Sequence, residues 1–213
     1  MNDLIGNTVE FVKEFLKDNY SGHDYYHTLR VYKIAAKIAE KENADIELTS
    51  LIALLHDIDD FKVVGKDSIL LKNTKLFLNN NNINQEKINL ICDEITKISF
   101  KGSGISIPKT LEGKIVQDAD RIDAMGAMGI ARTFAYGGTI GRTIYSPEIK
   151  IRGFVSEKDY HNNSGTSIGH FYEKLLKILD LINTEEAKKI AIHRHNFLLQ
   201  YLDEFFEEWD GKK

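Results

Sequence analysis

Cysteine, proline and surplus positive charge are all scarce in this chain. Among 213 residues there is one cysteine, Cys92, so no intrachain disulfide framework forms and a thiolate-rich zinc finger is excluded. The expected setting is a reducing cytoplasm. Cys92 lies in the apolar, helically spaced string INLICDEI, which predicts a buried structural thiol rather than a nucleophile. Two prolines leave long stretches free to be helical, because proline is the strongest helix breaker. The formal net charge of -4 supplies no basic surplus for a long nucleic-acid track. No apolar run approaches the ~20 residues of a membrane-spanning helix. The first residues, MNDLIGNTVEFVKEF, lack the basic start of a signal peptide. The composition, 42% hydrophobic and 28% charged, is that of an ordinary folded domain rather than a disordered or fibrous chain.

What is present is helical periodicity. Apolar stripes run through Val9, Val12, Phe15 and Leu16, then Val31, Ile34, Ala35, Ile38 and Ala39, then Leu48, Leu51, Ile52 and Leu55. A fourth stripe near Leu70–Leu78 ends in the run Asn79–Asn82, read as a biased loop without function. Ile88, Ile91, Ile95 and Ile98 resume the pattern, and FKGSGISIP from Phe100 to Pro108 reads as a loop. Helix is predicted again from about Leu111 to Ala135. Tyr136 to Gly165 is glycine-rich and polar, and reads as a long loop of the kind that carries function or stays disordered. Ile168, Phe171, Leu175, Leu176 and Leu179 predict another helix. Asn183 followed by Glu186 resembles a capping box opening a last helix that runs to Trp209. No repeat and no clear boundary emerge. The expectation is one all-α domain over 1–213, with a core at about 20–135, a loop at 136–165 and C-terminal helices at 166–210.

Histidines and aspartates cluster in three segments: GHDYYHTLRV, LIALLHDIDDFK and IVQDADRIDAMGA. His56 and Asp57 end an apolar helical run, where a buried carboxylate needs a cation or several donors. Adjacent helical residues lie about 100° apart, so both side chains can converge on one point. If the helix continues one more turn, Asp59 and Asp60 share the face of His56. The alternative is a helix end with solvated acids. His27 opens the next amphipathic helix and, alone, reads as a structural histidine. In the third segment, Ile115, Val116, Ala119, Ile122, Gly126 and Ala127 define the inward arc. Asp120 and Asp123 lie on or beside it, while Asp118 points away. Asp120 is therefore the better buried ligand and Asp118 its rival or a supporting group. Two histidines and two aspartates suit a borderline or hard divalent ion. Manganese is the first expectation, with magnesium, iron, cobalt, nickel and zinc also fitting.

The order His27, His56-Asp57, Asp120 resembles the H…HD…D signature of the HD-domain metal-dependent phosphohydrolases. The flanking strings, with VQDADRIDAMGAMGIARTF, TSIGHFYEKLLKI and NTEEAKKIAIHRHNFLLQYLDEF, are similar to stand-alone bacterial HD hydrolases over nearly the whole chain. The resemblance implies a helical bundle with His27, His56, Asp57 and Asp120 holding one metal ion per chain, since the further histidines of binuclear members are missing. It implies that Asp59, Asp60 and Lys62 occupy the region assisting catalysis, with Asp60 preferred over Asp59 as the acid meeting water.

Substrate phosphates need cations besides the metal. Arg30, Arg121, Arg142, His170 and Lys174 are the candidates, Arg142 lying in YGGTIGRTIYSP beside Gly137, Gly138 and Gly141. His193 and His195 read as helix-face residues. The most similar subgroup implies hydrolysis of NTPs or dNTPs to monophosphate and pyrophosphate. A nucleoside monophosphate phosphatase, a cyclic-nucleotide phosphodiesterase and a nucleotide-binding module without turnover are the alternatives. The expected partner is a small phosphate-bearing substrate, with no membrane. The apolar face of the last helix, with Phe197, Tyr201, Phe205 and Trp209, serves either as core or as a homodimer seam.

Overall fold

The structure is a computed structural model that describes residues 4–17, 24–65, 71–98, 106–150 and 165–213. Among the described residues every regular element is helical, as the periodicity predicts. The contacts divide the chain into two compact units. One comprises Met1–Phe100 with Ser106–Asp120, the other Lys101–Ile105 with Arg121–Lys213.

The first unit holds α1 (Leu4–Phe15), α2 (Tyr25–Glu42), α3 (Ile46–Leu55), α4 (Phe61–Val64), α5 (Lys72–Asn80), α6 (Gln85–Ile95) and most of α7 (Leu111–Asp123). The helix α3 is its centre. Every residue from Leu48 to Leu55 is buried, because this segment packs against α1, α2 and α6 and is apolar save for Thr49 and Ser50, whose hydroxyls donate to the carbonyls of Asp45 and Ile46. Three helices start at polar caps. Asp24, Asp45 and Asn84 sit in extended backbone and accept from the amides of His27, Leu48 and Lys87. The asparagine run is the α5–α6 corner. Asn82 takes a left-handed φ of 57°, which asparagine tolerates better than most residues. Phe11 of α1 stacks on Phe77 of α5 at 4.3 Å. Cys92 is buried, and burial pushes its thiol above the ordinary range, in keeping with a structural role.

Glu94, wholly buried on α6, accepts from the amides of Lys109 and Thr110 and from the Thr110 hydroxyl, just before α7. Gln117 Nε2 donates to the carbonyls of Lys97 and Ser106, both at 2.7 Å. These bonds anchor α7, the helix that carries Asp118 and Asp120.

The second unit holds the end of α7, α8 (Gly126–Thr139), α9 (Ser167–Glu173), a 3-10 helix (Leu175–Leu181) and α10 (Glu185–Trp209). Phe171 of α9 stacks on Tyr201 of α10 at 5.7 Å, and Tyr145 meets Phe205, Phe206 and Trp209 edge-on. Much of the aromatic face of the last helix is thus used within this unit.

Four expectations change. The helix predicted over Leu111–Ala135 is interrupted between α7 and α8, where Gly126 takes a φ of 63°. The predicted loop begins later, since α8 continues through Tyr136 to Thr139; residues 151–164 of it lie outside the described residues. The helix predicted over Ile168–Leu179 is two pieces, divided at Lys174. The last helix is capped at Thr184, one residue after the predicted Asn183, and Thr184 makes no side-chain cap bond. No helix among the described residues is long and apolar enough to cross a membrane.

Candidate metal centre

His27 sits in the first turn of α2. The Asp24 carboxylate accepts from its amide at 2.8 Å, fixing where the helix begins. From that start, His27 shares a face with Val31 and Ala35 and is drawn inward with them. His56 is the C-terminal cap of α3, and Asp57 follows in a turn. The side chains of His27, His56 and Asp57 are 1%, 1% and 2% exposed. Their ligand atoms lie within 4.8 Å of one another, the one such His/Cys/Asp/Glu group among the described residues.

The geometry within the cluster fits a cation. His56 Nδ1 lies 2.8 Å from the carbonyl oxygen of Ala53. A carbonyl only accepts, so Nδ1 carries the proton. In the neutral ring Nε2 then presents a lone pair. That Nε2 has no hydrogen-bond partner and lies 3.3 Å from Asp57 Oδ1. His27 Nε2 lies 3.3 Å from Asp57 Oδ2 and 3.4 Å from Asp120 Oδ1. Electron-rich atoms converging in a dry site repel unless a proton or metal ion lies between them. The nitrogen and carboxylate donors, with one imidazole oriented by a backbone carbonyl, suit a divalent metal.

Asp120 reaches His27 while keeping its side chain 27% exposed, so its carboxylate borders both the cluster and solvent. Asp118 is wholly buried instead of facing away from the core. The single-arc reading fails there because α7 is enclosed on more than one side.

The turn after Asp57 also departs from expectation. Helix α3 stops at Leu55, so Asp59 and Asp60 do not continue its face. Asp59 is buried and turned to α5, accepting from Asn73 and Thr74. Asp60 is half-buried, and its carbonyl accepts from Val63 and Val64 at the start of α4. Lys62 falls in α4, and its side chain lies outside the described residues. Arg30, one turn after His27 on α2, is half-buried. Two contributors were missed from the sequence. The spacing of Asp24 and His27 at a helix start signals the cap, whereas the Ala53 carbonyl has no sequence signature.

The HD domain family matches residues 24–125, from the Asp24 cap to the end of α7. An HD-superfamily hydrolase of known structure from Bacillus thuringiensis is 39% identical, with a TM-score of 0.77 over 97% of this chain and 96% of that one. The chain belongs to the HD superfamily. It is a metal-dependent hydrolase of that superfamily, and the His/Asp cluster is its candidate metal centre. A Lactobacillus plantarum protein of known structure is also similar, at 35% identity and a TM-score of 0.84 over 99% of both chains. Bacillus subtilis YpgQ is 36% identical over 205 residues, covering 94% of this chain and 91% of YpgQ. The structure of YpgQ in complex with ADP has a TM-score of 0.78 over 96% of this chain and 94% of that one, at 33% identity.

The remaining candidates of this HD hydrolase lie in the second unit. Arg121 donates to the Leu181 carbonyl, tying α7 to the 3-10 helix. Gly137 packs so closely on Ser167 that a β-carbon would overlap its hydroxyl, and Arg142 lies beside the same glycine. His170 follows Ser167 by three residues on α9, with Lys174 one turn further. Burial, then Lys174 and Arg142, push the His170 imidazole down to about 3, so at neutral pH it is uncharged. The glycine amides do not form an open cradle, because Gly141 and Arg142 donate to the carbonyls of Gly138 and Gly137. His193 is exposed and His195 half-buried on α10.

Proposed function

We propose that this HD-superfamily hydrolase cleaves nucleoside triphosphates, ribo or deoxy, to monophosphate and pyrophosphate, with one divalent ion held by His27, His56, Asp57 and Asp120. The observation that carries the reading is His56 Nε2, buried without a hydrogen-bond partner and facing Asp57 at 3.3 Å. When bound, a divalent ion there would acidify water and polarise a phosphoryl oxygen. Asp60 supplies the acid that orients the attacking water and takes its proton, being the half-buried carboxylate three residues after Asp57. Asp118 supports Asp120 from within the core. Arg30 supplies positive charge for a phosphate near α2.

The choice of a nucleotide is supported by YpgQ, a relative whose structure was determined with ADP. The test is a hydrolysis screen of NTPs, dNTPs, monophosphates and cyclic nucleotides with Mn2+, Mg2+, Co2+, Ni2+, Fe2+ and Zn2+, measuring phosphate and pyrophosphate separately. Stoichiometric pyrophosphate with Mn2+ is the expected result. Free phosphate from monophosphates, or ring opening of cyclic nucleotides, would move the reading to a phosphatase or phosphodiesterase. A folded His56→Ala protein with full metal content and full activity would overturn the assigned centre.

A further inference from the structure

We infer that Asp59 is a positioning residue: its carboxylate ties the start of α5 to the metal-binding turn and thereby sets the placement of Asp60. Asp59 lies two residues after Asp57 and is 2% exposed. Its Oδ1 accepts from the Asn73 amide at 3.1 Å and from Asn73 Nδ2 at 2.8 Å. Its Oδ2 accepts from the Thr74 amide at 2.9 Å. Both oxygens are therefore engaged, and the side chain is shut away from water. An acid that must meet a solvent molecule cannot be held this way.

The receiving end explains why such a tie is needed. Asn73 and Thr74 lie in the first turn of α5, where backbone amides lack partners within the helix. The residue in the capping position is Leu71, with φ 46° and ψ 46°, and it makes no side-chain cap bond. Among the described residues, no group beside Leu71 is seen to fill the task that Asp24, Asp45 and Asn84 perform at other helices. Asp59 fills it from 14 residues upstream, placing negative charge where the helix dipole favours it.

The other end is equally defined. The Ile58 amide donates to the Leu55 carbonyl, and the Asp60 amide donates to the Asp57 carbonyl at 3.1 Å. The Asp60 carbonyl then accepts from Val63 and Val64. Asp60 is thus held between the turn of Asp57 and the start of α4, while its neighbour Asp59 is fixed to the start of α5. Removing the Asp59 carboxylate unties this turn from the start of α5 and leaves His27, His56 and Asp57 on their own helices and turn.

The inference rests on the reading that Asp60 meets the attacking water, and the test separates the two. Asp59→Ala, Asn73→Ala and the double variant are made in the full chain. Mn2+ binding to each is measured by calorimetry, and hydrogen exchange is followed without metal. With Asp59→Ala, Mn2+ affinity changes far less than kcat, because His27 and His56 keep their own helices. Exchange at residues 60–75 rises. kcat with Mn2+ falls on the order of 100-fold with little change in KM, as for a displaced reacting group. Asn73→Ala falls less, and the double variant is no worse than Asp59→Ala alone.

Unchanged kcat alongside faster exchange would overturn the inference, leaving Asp59 a cap of α5 only. Lost kcat with unchanged exchange, additive with Asn73→Ala, would overturn it in favour of direct catalysis by Asp59. Should Asp59→Ala fail to fold, Asp59→Asn and Asn73→Ala are read by the same exchange and kcat criteria. Full turnover by Asp60→Asn would sink the assignment of Asp60 and the inference built on it. A failure confined to the Asp59 variants would leave that assignment intact.

Discussion

His56 donates from Nδ1 to the carbonyl of Ala53 at 2.8 Å, one turn back in α3. A backbone carbonyl thereby selects the tautomer of a side chain, and the opposite nitrogen is left facing Asp57. The position of His56 just past the buried stretch Leu48–Leu55 makes this bond rigid, because Ala53 cannot move without disturbing the core. Metal binding is consequently expected to stabilise the fold. Saturating Mn2+ at 100 times its Kd should raise the melting temperature by roughly 5–10 °C, and EDTA should reverse it. His56→Ala should abolish that shift while retaining its helical circular dichroism.

Asp24 fixes the first turn of α2 through the His27 amide. Asp24→Ala should destabilise the protein by about 1 kcal/mol, the usual loss for a helix cap. Because the same turn carries His27, Mn2+ affinity should fall as well. Urea unfolding and calorimetry on one preparation check both. A loss of stability with unchanged affinity would show that His27 is held by the core alone.

Gly113 lies where any β-carbon would overlap Glu94 Oε2. Gly113→Ala should cost about 1–3 kcal/mol, the range for overpacking. Glu94→Ala removes the severest overlap, leaving the Pro108 Cβ, but deprives the Thr110 and Lys109 amides of their acceptor. The double variant should therefore lose less stability than the sum of the single changes, a sub-additivity expected of groups in contact. Simple additivity in urea melts would mean that α7 shifts to accommodate the methyl group.

His170 should make stability depend on acidity. Its ordinary value is 6.5, and burial with Lys174 and Arg142 lowers it to about 3 in the folded protein. Between those values the unfolded chain binds the proton and the folded chain does not. The stabilisation from the neutral ring is complete above the unfolded value and is lost as the pH falls toward 3. Urea unfolding at pH 7, 5.5 and 4.5 should show a steeper loss for the parent protein than for His170→Gln. Equal slopes would mean that His170 protonates in place.

Much of this protein is legible in the order of its residues. The stripe Val31, Ala35, Ile38 and the largely apolar block Leu48–Leu55 specify two helices and their buried residues without reference to anything distant, because helical period is a local pattern. The HD pair at the end of such a block, with His27 at the start of another, announces a polar cluster inside an apolar setting. By contrast, Asp118 and Asp120 are separated only by packing. One is wholly enclosed and the other borders solvent, which depends on what surrounds α7. Asp59 and Asp60 are chemically alike and adjacent, yet one caps a helix 14 residues away and the other does not. The sequence by itself determined the helices, the family and the identity of the clustered histidines and aspartates. Only the tertiary structure decided which carboxylate faces the cluster, which is enclosed in the core and which tautomer His56 carries. Those depend on hydrogen bonds between groups far apart in the chain or on backbone carbonyls, and neither leaves a periodic trace in the residues.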